Sequence, residues 1–383
     1  MTSVAATPPG SGDPPATASR LPILLNVRMP HLVQISIQFF VFLYWQLYFP
    51  EARTHLVMLL ELTIFGFAVD AAVSFGRYRS WMVTFGPIPV VLSANLFVWF
   101  RGPQAWVSYV IVALGIASKH LIQRGGRHVF NPSAFGVSVV ALPCLLFPHL
   151  FGEYDLAHPL NLAPNMVEVI LVLALIAQIK VPVVLISIGA ALVTLLPTGL
   201  LASFFARPYM PELLFAPILL GVTLLVTDPA TTPRTQPGKL LFGAAYMVAF
   251  ALIGTLLNLT PVNNFWAKML PIPVLNWLAP RFDALVARRP RLSHPWLDVR
   301  YNRRHVAAWA AAVAAVVALS PVKAKLFERE LHGVHHTRFV AVDGLARATC
   351  EDNQVFCRPF SFARELHLWL GDRDGSGATA HRP

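Results

Sequence analysis

Two polar segments carry side chains that could hold an anionic or polar ligand, and each interrupts a long apolar stretch. The first covers residues 118–136 and reads SKHLIQRGGRHVFNPSAFG; the second covers residues 227–239 and reads TDPATTPRTQPGK. The first combines clustered cations with the start of a helix. The second combines hydroxyl groups, a carboxylate and a lysine. Together they are the best candidates for a binding site.

The first segment predicts a helix N-terminus surrounded by positive charge. Asn131 can cap a helix whose first residue is Pro132. Such an N-terminus presents free N–H groups, which suit an anion or an electron-rich ring edge. Lys119 and Arg127 add cations. An ordinary basic loop followed by a capped helix explains the same residues and remains an alternative.

The second segment predicts a turn between two apolar helices. Asp228 precedes a proline, which disfavours helix at that point. Its carboxylate, with the hydroxyls of Thr227 and Thr231, could bind backbone donors or the hydroxyls of a ligand. Lys239 follows a glycine, but the spacing differs from that of a phosphate-binding P-loop. A nucleoside triphosphatase is therefore disfavoured.

The rest of the chain reads as a membrane protein with all-α architecture. Hydrophobic residues make up 56% of the 383 residues and charged residues only 13%. A bilayer crossing needs about 20 apolar residues. Charge-free gaps of this length lie at 29–50, 80–100, 128–152, 181–206 and 240–267. The net charge of +11 lies in short loops, so we expect a bilayer as partner and no nucleic acid.

The apolar pattern predicts eleven crossings. They are expected near 32–49, 55–75, 83–100, 104–119, 132–150, 166–180, 182–198, 212–227, 240–258, 263–280 and 306–322. Residues 1–27 are predicted to be a disordered tail, 28–284 the main membrane domain, 285–305 a basic cytoplasmic loop, 306–322 an extra C-terminal crossing and 323–383 a polar extracytoplasmic tail. The excess of basic residues in alternate loops places the N-terminus in the cytoplasm.

The C-terminal tail offers one covalent possibility. Cys350 and Cys357 could form a disulfide outside the cell, and two free thiols explain them equally well. Histidines at 332, 335 and 336 lack the spacing of a metal site, so no metal is expected.

Two acids lie within the second predicted crossing. A separation of nine residues puts Glu61 and Asp70 on opposite sides of a helix. Asp70 is expected to pair with Arg77 or Arg79 at the membrane boundary. Glu61 lies deeper and is the candidate for an ion path.

The two polar segments, in this order, resemble the NqrB/RnfD family of membrane subunits. The stretch NWLAPRFD, residues 276–283, is similar to the N-x-x-x-P-x-x-D pattern of that family. The resemblance covers about residues 28–284 and suggests a divergent branch that includes membrane proteins of enediyne biosynthesis. It implies about ten transmembrane helices in two inverted halves, to which the extra C-terminal crossing is added.

The resemblance also implies a flavin, FMN or riboflavin, in a bacterial inner-membrane electron-transfer complex with other membrane or redox subunits. The cofactor-binding residues would be Lys119, Arg127, Asn131, Thr227, Asp228, Thr231 and Lys239. Many members attach FMN to a threonine in a D-x-x-S-G-A-T sequence. The equivalent residues here, 149–165, contain neither Ser nor Thr. Flavin would therefore be bound noncovalently.

Three functions remain open. The first is the electron-transfer subunit, with or without coupling to ion translocation. The second is a secondary transporter or channel that kept the fold and lost the cofactor. The third is a structural membrane partner, in a biosynthetic pathway or for an extracytoplasmic redox protein, that acts through residues 323–383. Whether the chain is itself an enzyme component depends on which of them holds.

Overall fold

The protein was described from a computed structural model. The structure describes residues 23–26, 29–48, 50–79, 81–100, 102–147, 154–156, 166–195, 216–257, 259, 264–314, 337–342 and 345–350. The predicted tail 1–27, most of the loop 149–165 and most of residues 323–383 lie outside these ranges. Cys357 is among the residues outside them, so the disulfide stays a prediction.

Helices account for most of the described chain. They are α1 (Met29–Tyr48), α2 (Pro50–Tyr78), α3 (Pro87–Asn95), α4 (Trp106–Leu121), α5 (Pro132–Leu146), α6 (Met166–Lys180), α7 (Val184–Leu195), α8 (Ala216–Leu220), α9 (Gln236–Leu257), α10 (Pro271–Arg288) and α11 (302–314). A π-helical turn, Gly221–Leu225, continues α8. Short 3₁₀ turns cover Gly102–Gln104, Asn264–Lys268, Pro290–Leu292, Pro295–Leu297 and Val299–Tyr301.

Short strands in the described part of the chain form four pairs, two of which join parts of the chain that are distant in sequence. They are β1 (Ile23–Asn26), β2 (Trp81–Thr84), β3 (Val98–Phe100), β4 (Gln123–Arg124), β5 (Arg127–His128), β6 (Tyr154–Leu156), β7 (Thr337–Val342) and β8 (Leu345–Cys350). β1 pairs in parallel with β2, whereas β3–β6, β4–β5 and β7–β8 are antiparallel pairs. The β7–β8 hairpin, in which Thr337 lies opposite Cys350, lies in the tail for which the sequence predicted no element.

Most predicted crossings coincide with a helix, and two differ in kind. The crossing expected at 83–100 is not one continuous helix, because α3 has only nine residues and strands flank it. Pro87 and Pro89 lack backbone N–H groups and fit only the first turn of a helix. Around 263–280, a 3₁₀ turn precedes α10, which continues to Arg288. The basic residues after 284 therefore begin inside a helix.

Two described helices have the length and hydropathy of a complete crossing, Ala52–Tyr78 and Gln236–Leu257. Shorter apolar helices cover Leu32–Leu47, Pro132–Leu146 and Val184–Val193. The outer face of α2 exposes Val57, Leu60 and Ile64, each more than 60% accessible. Such an apolar stripe suits lipid far better than water. The number of crossings and their arrangement in two inverted halves stay predictions.

Two helix pairs pack closely through glycine. α4 lies along α5, and α7 lies along α9. In the first pair, a Cβ on Gly136 would collide with the Ile111 backbone; in the second, a Cβ on Gly243 would collide with the Ile186 backbone. Each pair includes the helix that follows a polar segment. This helix is α5 for the first segment and α9 for the second. This similarity favours two related halves.

Candidate functional site

The first polar segment folds as a tight hairpin that leads into α5. Gln123 and Arg124 pair with Arg127 and His128 across two glycines with positive φ, 56° for Gly125 and 73° for Gly126. The left-handed region favours glycine, so the glycine pair fixes the turn. Both arginines are exposed. The hairpin therefore presents two cations beside the start of α5.

Asn131 caps α5, as its sequence context predicts. Its Oδ1 accepts hydrogen bonds from Ala134 N at 3.1 Å and Ser133 Oγ at 2.9 Å. Its Nδ2 donates to the carbonyl of Leu225 at 3.0 Å. The acceptor lies in the π-helical turn just before the second polar segment. Asn131 is 4% exposed, so it acts mainly as a joint between the two segments.

Asp228 supplies the second joint between the segments. Its Oδ2 lies 3.3 Å from His128 Nε2, and its Oδ1 accepts from Ala230 N at 2.9 Å. Both Asp228 and His128 are partly buried. The predicted site residues Asn131 and Asp228 thus meet at one junction, although 97 positions separate them in sequence.

The two predicted threonines hold the turn in shape. Thr227 Oγ1 donates to the Thr223 carbonyl at 2.7 Å, and Thr231 Oγ1 donates to the Asp228 carbonyl at 3.4 Å. The neighbouring Thr232 was not predicted. Its Oγ1 is buried and has no hydrogen-bond partner among the described residues. An orphaned hydroxyl costs free energy, so Thr232 is the best-placed group in this turn to bind a ligand.

The two predicted lysines are engaged elsewhere. Lys239 is buried, and its Nζ donates to the Pro182 carbonyl at 2.6 Å. Lys119 Nζ lies 3.8 Å from Asp70 Oδ1. Arg127, by contrast, points its exposed side chain away from the core. Of the three predicted cations, Arg127 is the most exposed.

Two side chains of α10 form hydrogen bonds with the polar segments, although the sequence analysis did not assign them to the site. Asn276 Oδ1 accepts from Asn131 N at 2.9 Å, and Asn276 Nδ2 donates to the Thr231 carbonyl at 3.3 Å. Asp283 accepts from Arg234 N, Thr235 N and Thr235 Oγ1 at 2.6–2.9 Å, ahead of α9. A spacing of seven puts Asn276 and Asp283 on one helix face. That spacing was visible in the N-x-x-x-P-x-x-D pattern.

Removing the Asn276 clamp should destabilise the junction. We expect Asn276→Leu to lower the free energy of unfolding by about 2–4 kcal/mol, because it leaves the Asn131 N–H and the Thr231 carbonyl without partners. Thermal unfolding of the detergent-solubilised protein measures this loss of stability. Val274→Ala, at an exposed position of the same helix, should change stability by less than about 0.5 kcal/mol. Equal losses in both variants would refute the clamp.

A buried ionic cluster joins α2 to α4. Asp70 is 1% exposed; its Oδ1 lies 2.6 Å from His120 Nε2, and its Oδ2 accepts from Thr84 Oγ1 at 3.0 Å. Together with Lys119 these residues form what we call the Asp70 cluster. The expected pairing of Asp70 with Arg77 or Arg79 is wrong, because Asp70 faces α4 and both arginines are exposed.

Glu61 lies on the opposite side of α2, as the helical spacing predicted. It is exposed and accepts a hydrogen bond from Tyr109 Oη at 3.0 Å. An ion path inside a bundle needs polar groups that face its interior. Asp70 meets that condition and Glu61 does not, so Glu61 as an ion-path residue has no support from its position.

One comparison with known proteins found a similar family. Residues 150–291 match the model of the NQR2, RnfD, RnfE family. This part of the chain is similar to that family. The matched part is a little over a third of the sequence and contains the second polar segment and α10. No curated protein matches the chain.

Two observations bear on the kind of protein. The NQR2, RnfD, RnfE family implies a membrane subunit of an electron-transfer complex, and the apolar helices agree with a membrane protein. No cluster of three or more His, Cys, Asp or Glu side chains that could hold a metal ion occurs within the described ranges.

Proposed function

We propose that this protein belongs to the NQR2, RnfD, RnfE family and is an electron-transfer subunit. It would bind FMN or riboflavin noncovalently where its two polar segments meet. The observation that carries the proposal is the junction of His128 with Asp228 and of Asn131 with Leu225. These contacts bring the cationic hairpin against the hydroxyl-rich turn. A ligand at the junction would meet both.

The residues present at the junction fit the chemistry of a flavin. Phe130 and Phe135 are partly buried and stack with ring centroids 4.9 Å apart, which supplies an aromatic face for a planar ring. Thr232 Oγ1 is an unpartnered hydroxyl for a ribityl group. Arg127 and Arg124 are exposed cations for a phosphate or an anionic ring.

Three other predicted residues would hold the two polar segments and the start of α9 in position. Asn131 and Asp228 hold the two segments together, and Lys239 fixes the start of α9 against Pro182. A bound flavin would supply the capacity to accept and pass on electrons singly or in pairs. The protein would hold its ring, exclude water from the junction and balance negative charge with Arg127.

Ion coupling is the second part of the proposal, and it would use the Asp70 cluster rather than Glu61. A buried carboxylate in contact with an imidazole and an ammonium group can bind or release a proton inside the bundle. We also propose, from the distribution of basic residues, that the N-terminus and the junction face the cytoplasm. Other subunits of the complex would contact the exposed helix faces.

The decisive test is the visible spectrum of the detergent-purified protein before and after acid precipitation. Yellow flavin released into the supernatant would support noncovalent binding. Flavin in the pellet would refute the noncovalent mode. A colourless protein, even after incubation with FMN and riboflavin, would refute the flavin proposal and favour the transporter on the same fold.

Thr232 gives the sharpest mutational test of the flavin site. We expect Thr232→Val to weaken flavin binding about fivefold, since one hydrogen bond contributes roughly 1 kcal/mol. Valine has nearly the same shape as threonine, so the substitution should not affect the fold. Thr255→Val is the matched control, because Thr255 is bonded only within its own helix, to Ala251 O at 2.8 Å. Unchanged retention in Thr232→Val would remove this residue from the site.

A further inference from the structure

The segment between α10 and α11 is densely basic. We call residues 288–304 the basic segment. Its exposed arginines are Arg288, Arg289, Arg291, Arg300, Arg303 and Arg304. Asp298 is its only acid, and it pairs with Arg300 at 3.1 Å from Nε to Oδ1. Five guanidinium groups remain to attract negative charge.

Apolar side chains alternate with these arginines. Leu292 is 36% exposed, Trp296 44% and Val299 52%. Trp296 is held in place by His305, whose ring lies 4.5 Å away and whose Nε2 bonds the Trp296 carbonyl at 2.7 Å. Tryptophan among cations is typical of the interface between lipid and water. A loop that served only to carry charge in water would not need these apolar groups.

The basic segment is folded and anchored to the bundle. Three consecutive 3₁₀ turns cover most of it. Asn302 Nδ2 donates to the Gln178 carbonyl at 2.9 Å near the end of α6. The helix that follows is apolar after Arg304, with Val306, Trp309 and Val313 buried. The segment therefore has a fixed position between two helices of the bundle.

We propose that the basic segment binds the phosphate headgroups of anionic phospholipids in the adjacent leaflet. The free guanidiniums contact phosphate oxygens, and Trp296 and Leu292 enter the boundary between headgroups and acyl chains. Clusters of four to eight basic residues beside a transmembrane helix attract anionic lipid. The interleaved apolar groups favour a lipid surface over an acidic soluble protein. This site is separate from the flavin junction and does not depend on it.

The experiment uses the full-length protein in a nonionic detergent. Native mass spectrometry would compare the binding of phosphatidylglycerol with that of phosphatidylcholine. Each arginine near an anionic surface contributes about fivefold in affinity. We expect the wild type to prefer phosphatidylglycerol. The variant with Arg289→Gln, Arg291→Gln and Arg303→Gln should lose that preference by a factor on the order of a hundred.

A matched variant controls for net charge. Arg77→Gln, Arg79→Gln and Arg234→Gln remove three exposed arginines from other parts of the chain and should leave the preference nearly intact. Trp296→Ala should weaken the binding of both lipids several-fold. Equal losses in the two triple variants, or no preference in the wild type, would overturn the proposal. Displacement of the lipid by inorganic phosphate at equal concentration would overturn it too, because it would assign the site to a soluble anion.

Discussion

Gly243→Ala is expected to destabilise the protein strongly, because it adds a methyl group where two helices are in contact. Gly243 lies in α9 against the backbone of Ile186 in α7. A Cβ there would lie 2.7 Å from the Ile186 carbonyl carbon and 2.9 Å from its Cα. Backbone atoms cannot rotate away, so the two helices must separate. We expect a loss of about 3 kcal/mol in the free energy of unfolding, measured as a lower melting temperature in detergent.

Gly76→Ala is the control for this substitution. A Cβ at Gly76 would meet nothing within 4 Å, and alanine is the better helix former by roughly 0.5–1 kcal/mol. It should leave stability unchanged or slightly raised. Gly136→Ala should behave like Gly243→Ala, since its Cβ would meet the Ile111 backbone in the other helix pair. A Gly243→Ala protein as stable as Gly76→Ala would show that the helices are not in contact.

The second large effect is expected at Asp70. Asp70→Leu removes the carboxylate that contacts His120 at 2.6 Å and Lys119 at 3.8 Å. The buried His120 and the partly exposed Lys119 then remain without their anionic partner. Breaking a buried ion pair in this way costs about 3–5 kcal/mol. Glu61→Gln, on the exposed face of the same helix, should cost less than about 1 kcal/mol.

A double substitution measures the interaction between Asp70 and His120 apart from their contacts with other residues. Asp70→Leu combined with His120→Leu removes both partners and should recover part of the stability lost in Asp70→Leu alone. Additive losses in the double variant would show that Asp70 and His120 do not interact. Proton uptake by reconstituted protein, compared between the wild type and Asp70→Asn, would then test the role of the cluster in ion coupling.

The sequence alone determined the local structure around the site. The order of cations, glycines and Asn131-Pro132 predicted a turn and a capped helix, and α5 begins at Pro132 with Asn131 as its cap. The helical spacing separated Glu61 from Asp70 correctly. These features depend on neighbours in the chain, whose geometry is fixed by backbone dihedral preferences and the helical repeat. The apolar runs likewise located α6 at the predicted residues 166–180.

Only the tertiary structure decided which distant groups meet. Helical spacing shows that Asp70 faces away from Glu61, but it does not show that His120, fifty residues later, faces Asp70. The same holds for Asn276, which joins Asn131 to Thr231, and for Lys239, whose cation is used by Pro182. Partners of this kind depend on how helices cross and how deeply each side chain is buried. Burial also decides which polar atoms must find a partner inside the protein. Lys239 Nζ finds one in the Pro182 carbonyl, whereas Thr232 Oγ1 has no hydrogen-bond partner among the described residues.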